Sequence, residues 1–161
     1  MTTVAFIGLG IMGGPMAANL VKAGFEVVGY NRSPEPVKRL VDAGGRGAES
    51  VADAVRGADV IVTMVPDSPD VEAVTGGDDG VFAAAKSGAI YVDMSTIRPD
   101  VAVRVAEAGH KAGLRVLDAP VSGGEAGAVE GSLSIMVGGE PADFAAAKPV
   151  LDIVEVYPYV P

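Results

Sequence analysis

Six residues, Gly8-Leu9-Gly10-Ile11-Met12-Gly13, follow a short apolar run and open an alanine-rich stretch. Glycines at this spacing, between a strand and a helix, suit a dinucleotide, with a merely tight structural turn as the plain alternative. Gly8 permits a tight turn, Gly10 lets the main chain approach a pyrophosphate, and Gly13 lets a helix pack close to a strand, while the helix N-terminus offers partial positive charge to the phosphates. Gly8, Leu9, Gly10, Ile11, Met12 and Gly13 are therefore assigned to dinucleotide binding. The next apolar run ends in Asn31-Arg32-Ser33. An acidic residue there would accept the ribose hydroxyls of NAD. Asn31 removes the carboxylate that would repel a 2′-phosphate, and Arg32 brings a guanidinium able to grip one bidentately. NADP is favoured over NAD, with a solvated turn as the plain alternative for Arg32.

Two later strand ends point toward the same crevice, because ligands of open α/β sheets lie beyond the carboxyl ends of the strands. Val65-Pro66 can wall a cofactor ring, and Thr96, after Asp93-Met94-Ser95, carries a hydroxyl that can meet ribose or amide. Position alone leaves them equally a turn breaker and a helix cap. Asp118-Ala119-Pro120-Val121-Ser122-Gly123-Gly124 presents a hydroxyl and unobstructed amides, suited to a small carboxylate; a plain glycine-rich loop is the alternative. His110 and Lys111 come late in a helical stretch and read as surface.

These residues need a frame, and the pattern of apolar runs supplies one. Strands are expected at 3–7, 26–30, 59–65, 89–94 and 115–119, with a weak one at 47–48. Helices are expected at 12–23, 34–43, 51–56, 99–112 and from Pro141 to Leu151, with helical pieces at 70–74 and 80–86 around a Gly-Asp loop. Beyond Ser122 the rhythm gives way to a glycine-rich segment, a strand at 133–137 and, after the last helix, a β-rich stretch at 153–160. Strands this apolar must be covered on both faces. The fold class is α/β: a Rossmann-type doubly wound, mostly parallel sheet with helices on both faces. A flavodoxin-like sheet without a dinucleotide shares the coarse pattern, and the glycine motif decides against it.

Length and charge narrow the partners. The 161 residues fit one domain, 1–161, and 12 basic against 21 acidic residues give a formal charge of −9. That balance offers no basic stripe for nucleic acid or anionic membrane. Cysteine is absent and His110 is the single histidine, so no zinc site is expected. No signal peptide or spanning segment is apparent, and a cytoplasmic location is expected.

Taken together, the motifs resemble the β-hydroxyacid dehydrogenase family, in which 3-hydroxyisobutyrate and tartronate semialdehyde are the typical substrates. The run from Phe6 to Leu20 is similar to its N-terminal signature, and the run from Asp118 to Gly124 to its substrate motif. Val65-Pro66-Asp67-Ser68-Pro69, Asp93-Met94-Ser95-Thr96 and residues 131–139 keep the order between and after them. Ser68-Pro69 and Met94 lean toward the tartronate semialdehyde branch. The resemblance implies hydride transfer between a nicotinamide cofactor and a short acid. It places pyrophosphate at Gly8, Gly10 and Gly13, the adenosine ribose at Asn31 and Arg32, the middle of the cofactor at Val65 and Pro66, and the nicotinamide end at Thr96. Ser122, Gly123 and Gly124 would hold the substrate, with Ser122 the positioning residue in catalysis.

One departure stands out. The family's proton donor is a lysine on a helix leading into a second, helical domain, and none of Lys22, Lys38, Lys86, Lys111 and Lys148 stands in that motif. The ending resembles a truncation. Cofactor binding without turnover is therefore the alternative to an active enzyme. A homo-oligomer is expected, with self-association through the tail at Tyr157 to Pro161.

Overall fold

The computed structural model describes residues 2–154. The chain begins β1 (Thr3–Ile7), α1 (Gly13–Lys22), β2 (Glu26–Tyr30), α2 (Pro34–Asp42), β3 (Arg46–Gly47), α3 (Val51–Val55) and β4 (Val60–Thr63). It continues α4 (Ser68–Thr75), α5 (Val81–Ala84), β5 (Ile90–Asp93), α6 (Pro99–Lys111), β6 (Arg115–Asp118), β7 (Val121–Ser122), α7 (Gly124–Glu130), β8 (Ser134–Ile135) and α8 (Pro141–Leu151).

Every residue of β4 and β5 is buried, as expected of strands covered on both faces. Six strands form one parallel sheet in the order β3-β2-β1-β4-β5-β6. The order reverses beside β1, which has β2 on one side and β4 on the other. That switch point opens a crevice above the strand ends, the place where doubly wound sheets hold ligands.

Alternation along the strands divides the core in two. Val4, Phe6, Val62 and Val92 face α1 and α8, packing with Met16, Leu20 and Leu151. Ala5, Ile7, Ile61 and Tyr91 face α3 and α6, packing with Val55, Val101 and Val105. Met16 and Leu20 lie one helical turn apart and are fully buried. Truncating either to alanine would cost about 2–5 kcal/mol.

Helix ends follow local chemistry. Ser50 caps α3 by accepting the Asp53 amide at 3.0 Å. Asp67 and Asp70 form a capping box at the start of α4.

Two expectations need correction. The glycine-rich segment after Ser122 forms α7, although Gly127 in its interior weakens a helix by about 1 kcal/mol relative to alanine. Tertiary contacts outweigh that: Ala128 is fully buried, and Asn19 Nδ2 of α1 donates to its carbonyl at 3.0 Å. A Cβ on Gly127 would stand 3.0 Å from Leu133 Cδ2, so α7 packs close against Leu133. The second concerns residues after α8, where a β-rich stretch is expected. Ile153 and Val154 instead turn, their amides reaching back to Val150 and Leu151 carbonyls at 3.3 and 3.0 Å. The remainder of that stretch, including Tyr157 to Pro161, lies outside the described residues.

Candidate functional site

The turn from β1 into α1 is built on close contacts. Gly8 has φ +98°, a conformation that L side chains rarely adopt, and a Cβ there would overlap the Met64 carbonyl oxygen. A Cβ on Gly13 would overlap the Gly8 carbonyl oxygen. Gly10 is different: a Cβ there meets nothing within 4 Å. The open space lies where a pyrophosphate would approach the main chain. No side chain caps α1, and its first turn carries no acidic residue. Its N-terminal dipole is thus left to whatever lies in front.

In front lies a cleft of about 960 Å³. Small-molecule sites span about 300–1,000 Å³. Gly8, Gly10, Ile11, Met12, Gly13, Asn31, Arg32, Val65, Pro66 and Thr96 all line it. Leu9 does not. Its side chain is 1% exposed and belongs to the core, while its amide donates to Asn31 Oδ1 at 3.0 Å.

Arg32 is the one cation among the described lining residues, which include Asp70, Asp78 and Asp79. Its guanidinium lies 3.6 Å from Asp70, with the side chain 77% exposed. Pairs this exposed contribute about 0–1 kcal/mol, so little holds Arg32 from a stronger anion. Val65 is fixed by its amide, which donates to Ser95 Oγ at 2.9 Å. The far wall, from Asp70 through Val74 to Gly76 and Gly80, is absent from the sequence-based site. The Gly-Asp loop at 76–80 was its only visible sign.

Ser122, Gly123 and Gly124 lie apart from that lining. Ser122 pairs with Ser134 in a two-stranded ribbon of β7 and β8, and Gly123 and Gly124 have φ of 137° and 62°. All three are exposed. The loop connects to the sheet through Ala119, whose amide donates to the Asp93 carbonyl at 2.7 Å.

Beneath these loops sit buried polar groups. Thr63 Oγ1 lies 2.7 Å from the Tyr91 hydroxyl and donates to Asp93 Oδ1 at 2.8 Å. The Ser95 amide donates to the same oxygen at 3.0 Å. Burial raises the Asp93 carboxyl against the lowering effect of these bonds. Burial first, and the Asp93 charge second, push Asp118 up to about 6. Neither carboxylate was singled out for chemistry from sequence, because their pairing depends on strand register. Among the described residues no helix is long and apolar enough to cross a membrane, and no cluster of three His, Cys, Asp or Glu could hold a metal.

The doubly wound sheet, the glycine turn and the cleft in front of α1 define a Rossmann-type dinucleotide-binding domain. Residues 3–155 match the NAD binding domain of 6-phosphogluconate dehydrogenase, and the chain belongs to that family of NAD-binding domains. Within that family, the chain is similar to 3-hydroxyisobutyrate dehydrogenases. It is 49% identical over 152 residues to 3-hydroxyisobutyrate dehydrogenase of Pseudomonas aeruginosa, covering 94% of this chain and 51% of that protein. The solved structure of Mycobacterium tuberculosis 3-hydroxyisobutyrate dehydrogenase with L-serine superimposes with a TM-score of 0.93 at 38% identity, covering 99% of this chain and 54% of the other. Psf3 in complex with NADP+ and 2-OPP gives a TM-score of 0.92 at 34% identity, covering 98% and 56%. The chain thus spans about half the length of the curated relatives it matches.

Proposed function

We propose that this chain is the cofactor-holding part of an oxidoreductase that moves a hydride between a nicotinamide and a short β-hydroxyacid or its semialdehyde. The glycine turn carries the reading: Gly8 and Gly13 are locked by close contacts while Gly10 stands open to the cleft. When bound, the cofactor supplies or accepts the hydride at its nicotinamide ring. The chain's own residues bind and orient. Gly10, Ile11, Met12 and the α1 N-terminus receive pyrophosphate, Asn31 and Arg32 face the adenosine ribose, Val65 and Pro66 wall the middle, and Thr96 stands at the nicotinamide end. Ser122, Gly123 and Gly124 position the substrate carboxylate and hydroxyl.

NADP is the favoured cofactor, supported by Arg32 in the cleft and by the absence of a carboxylate at Asn31. The name of the Pseudomonas aeruginosa relative favours 3-hydroxyisobutyrate over tartronate semialdehyde as the substrate. A homo-oligomer and a cytoplasmic location belong to the same proposal; Val129 and Met136 are 56% and 51% exposed, apolar surface that a partner could cover.

A second reading is binding without turnover by these residues alone. Hydride transfer needs a proton donor or acceptor at the substrate oxygen, a role typically contributing about 10²–10⁴ in rate. Among the described residues, no lysine lines the cleft before α1 or the smaller one beside α6. Lys86 is 2.6 Å from Asp59 and Lys148 is 2.8 Å from Asp152. The test measures NADP+ reduction with 3-hydroxyisobutyrate and NADPH oxidation with tartronate semialdehyde. The chain alone should bind cofactor and turn over neither, and a version extended by the family's lysine-bearing helical domain should turn over one. Comparable rates for both proteins would place the proton-transfer group within these residues.

A further inference from the structure

β5 and β6 end side by side, and Asp93 and Asp118 are register partners on these adjacent parallel strands. Such partners project from the same face of the sheet, on strands roughly 4.8 Å apart. Both residues line a second cleft, about 360 Å³, between α6 and residues 138–140. Asp93 is 3% exposed, and its two oxygens differ. Oδ1 accepts from Thr63 and Ser95, whereas Oδ2 is buried and has no hydrogen-bond partner among the described residues. A buried carboxylate oxygen without a donor is costly.

The geometry points to one proton shared by this pair: the Asp118 carboxyl donates to Asp93 Oδ2, and the bond holds together the loops that leave β5 and β6. Asp93 heads the loop to Thr96 and Asp118 the loop to Ser122. Asp93 also reaches a third segment, because the Ser95 hydroxyl it positions accepts the Val65 amide at 2.9 Å. With the proton in place the pair carries one negative charge. Without it, two like charges stand on neighbouring strands and push the loops apart. Burial raises both carboxyls, and Asp118 reaches about 6, so the bond forms on the acid side of neutrality.

Other groups face the same space. The Tyr91 hydroxyl is held neutral by burial and sits on Thr63. His110 from α6 and Glu140 from the segment before α8 line the cleft, the former favouring the ionised pair when charged and the latter opposing it. Arg115 on β6 is committed to Asp143 at 2.6 Å. Asp93 and Asp118 are positioning residues on this account, since neither lines the main cleft.

The functional half of this inference rests on the dinucleotide reading, but the shared proton does not. Carboxyl-carbon NMR of the 161-residue chain, titrated without cofactor, tests the proton directly. The Asp93 and Asp118 signals should move together through one step near the pH at which Asp118 titrates. Independent titration of the two would overturn the pair.

NAD+ is the right probe for the positioning role, because it lacks a 2′-phosphate that titrates nearby. Its affinity should weaken by about threefold or more between about pH 5 and pH 7.5, half a unit of linked shift. In Asp118→Asn the amide can donate to Asp93 Oδ2 at every pH, so NAD+ affinity should hold its acid-side value throughout. Asp118→Ala should bind weakly at every pH. A flat wild-type profile, or an Asp118→Asn profile that still steps, would remove the positioning role. Failure to bind either NAD+ or NADP+ at any pH would count against the dinucleotide reading and leave the NMR result standing.

Discussion

The amide of Leu9 donates to Asn31 Oδ1 at 3.0 Å, so the residue that follows β2 also fixes the turn that follows β1. The same side chain donates through Nδ2 to the Ser33 carbonyl at 3.2 Å. Both ends of the amide are therefore engaged. An aspartate could accept from Leu9 but could not donate to Ser33, and would set a negative charge beside Arg32. Asparagine thus braces the turn and keeps the ribose end free of a carboxylate.

Asn31→Ala should leave the buried Leu9 amide without its acceptor, at a cost of about 1–3 kcal/mol. Chemical denaturation should show that loss, and cofactor titration should show NADH and NADPH weakened alike. Selective loss of NADPH would mean that Asn31 reads the phosphate itself.

Arg32→Ala should act selectively. A charge-assisted hydrogen bond is worth about 1.5–3 kcal/mol, so NADPH should bind at least about tenfold more weakly with NADH nearly unchanged. Asp70→Asn should move NADPH in the opposite direction by a few-fold, because it removes the carboxylate 3.6 Å from the guanidinium and leaves an oxygen able to keep the helix cap. Fluorescence titration of both cofactors checks each variant; equal losses for Arg32→Ala would show that the guanidinium does not discriminate.

The glycines should separate into two kinds. Gly10→Val should preserve the fold, since its Cβ enters open space, yet abolish binding of either cofactor by occupying that space. Gly13→Val should instead fail at folding, because its Cβ overlaps the Gly8 carbonyl. Circular dichroism with cofactor titration distinguishes these, and a folded Gly10→Val with unchanged affinity would remove the motif from the site.

Much of this was legible in the sequence because buried parallel strands are nearly continuous apolar runs. β1 and β2 begin and end at the expected residues, and the glycine spacing marked the turn between them. The Ser50 cap of α3 is likewise a local matter, a hydroxyl three residues ahead of the amide it accepts. What was hidden depended on distant partners. α7 forms where Asn19 of α1 holds the Ala128 carbonyl and Leu133 packs beside Gly127, and the far wall of the cleft at Asp70 to Gly80 is set by how two short helices dock. The relation between Asp93 and Asp118 exists only once β5 and β6 are in register.

Acidity should alter stability in a direction opposite to that of most carboxylates. Asp93 and Asp118 are raised on folding, so the folded state binds protons more readily than the unfolded chain. Their contribution is present in full below the ordinary carboxylate range, near pH 3.8, and is lost as pH rises through about 6 for Asp118. Asp59 runs the other way: the Lys86 hydrogen bond lowers it, and its contribution fades as acid is added. Urea denaturation across pH 4 to 7 should show wild-type stability falling as pH rises, and Asp118→Asn should flatten that fall. An unchanged slope in Asp118→Asn would place the burden on Asp93 alone.

The central position of β1 has a consequence for the order in which the chain assembles. Its partner β2 arrives within thirty residues, but the strand on its other edge, β4, begins only at Val60. A nascent chain of some fifty residues therefore presents one unpaired apolar strand edge, a template for aggregation until the crossover through α3 is made. Non-local parallel pairing of this kind is slow to close. The step that joins β4 to β1 also completes the switch point, so the same late event that ends the exposure of β1 creates the crevice above it.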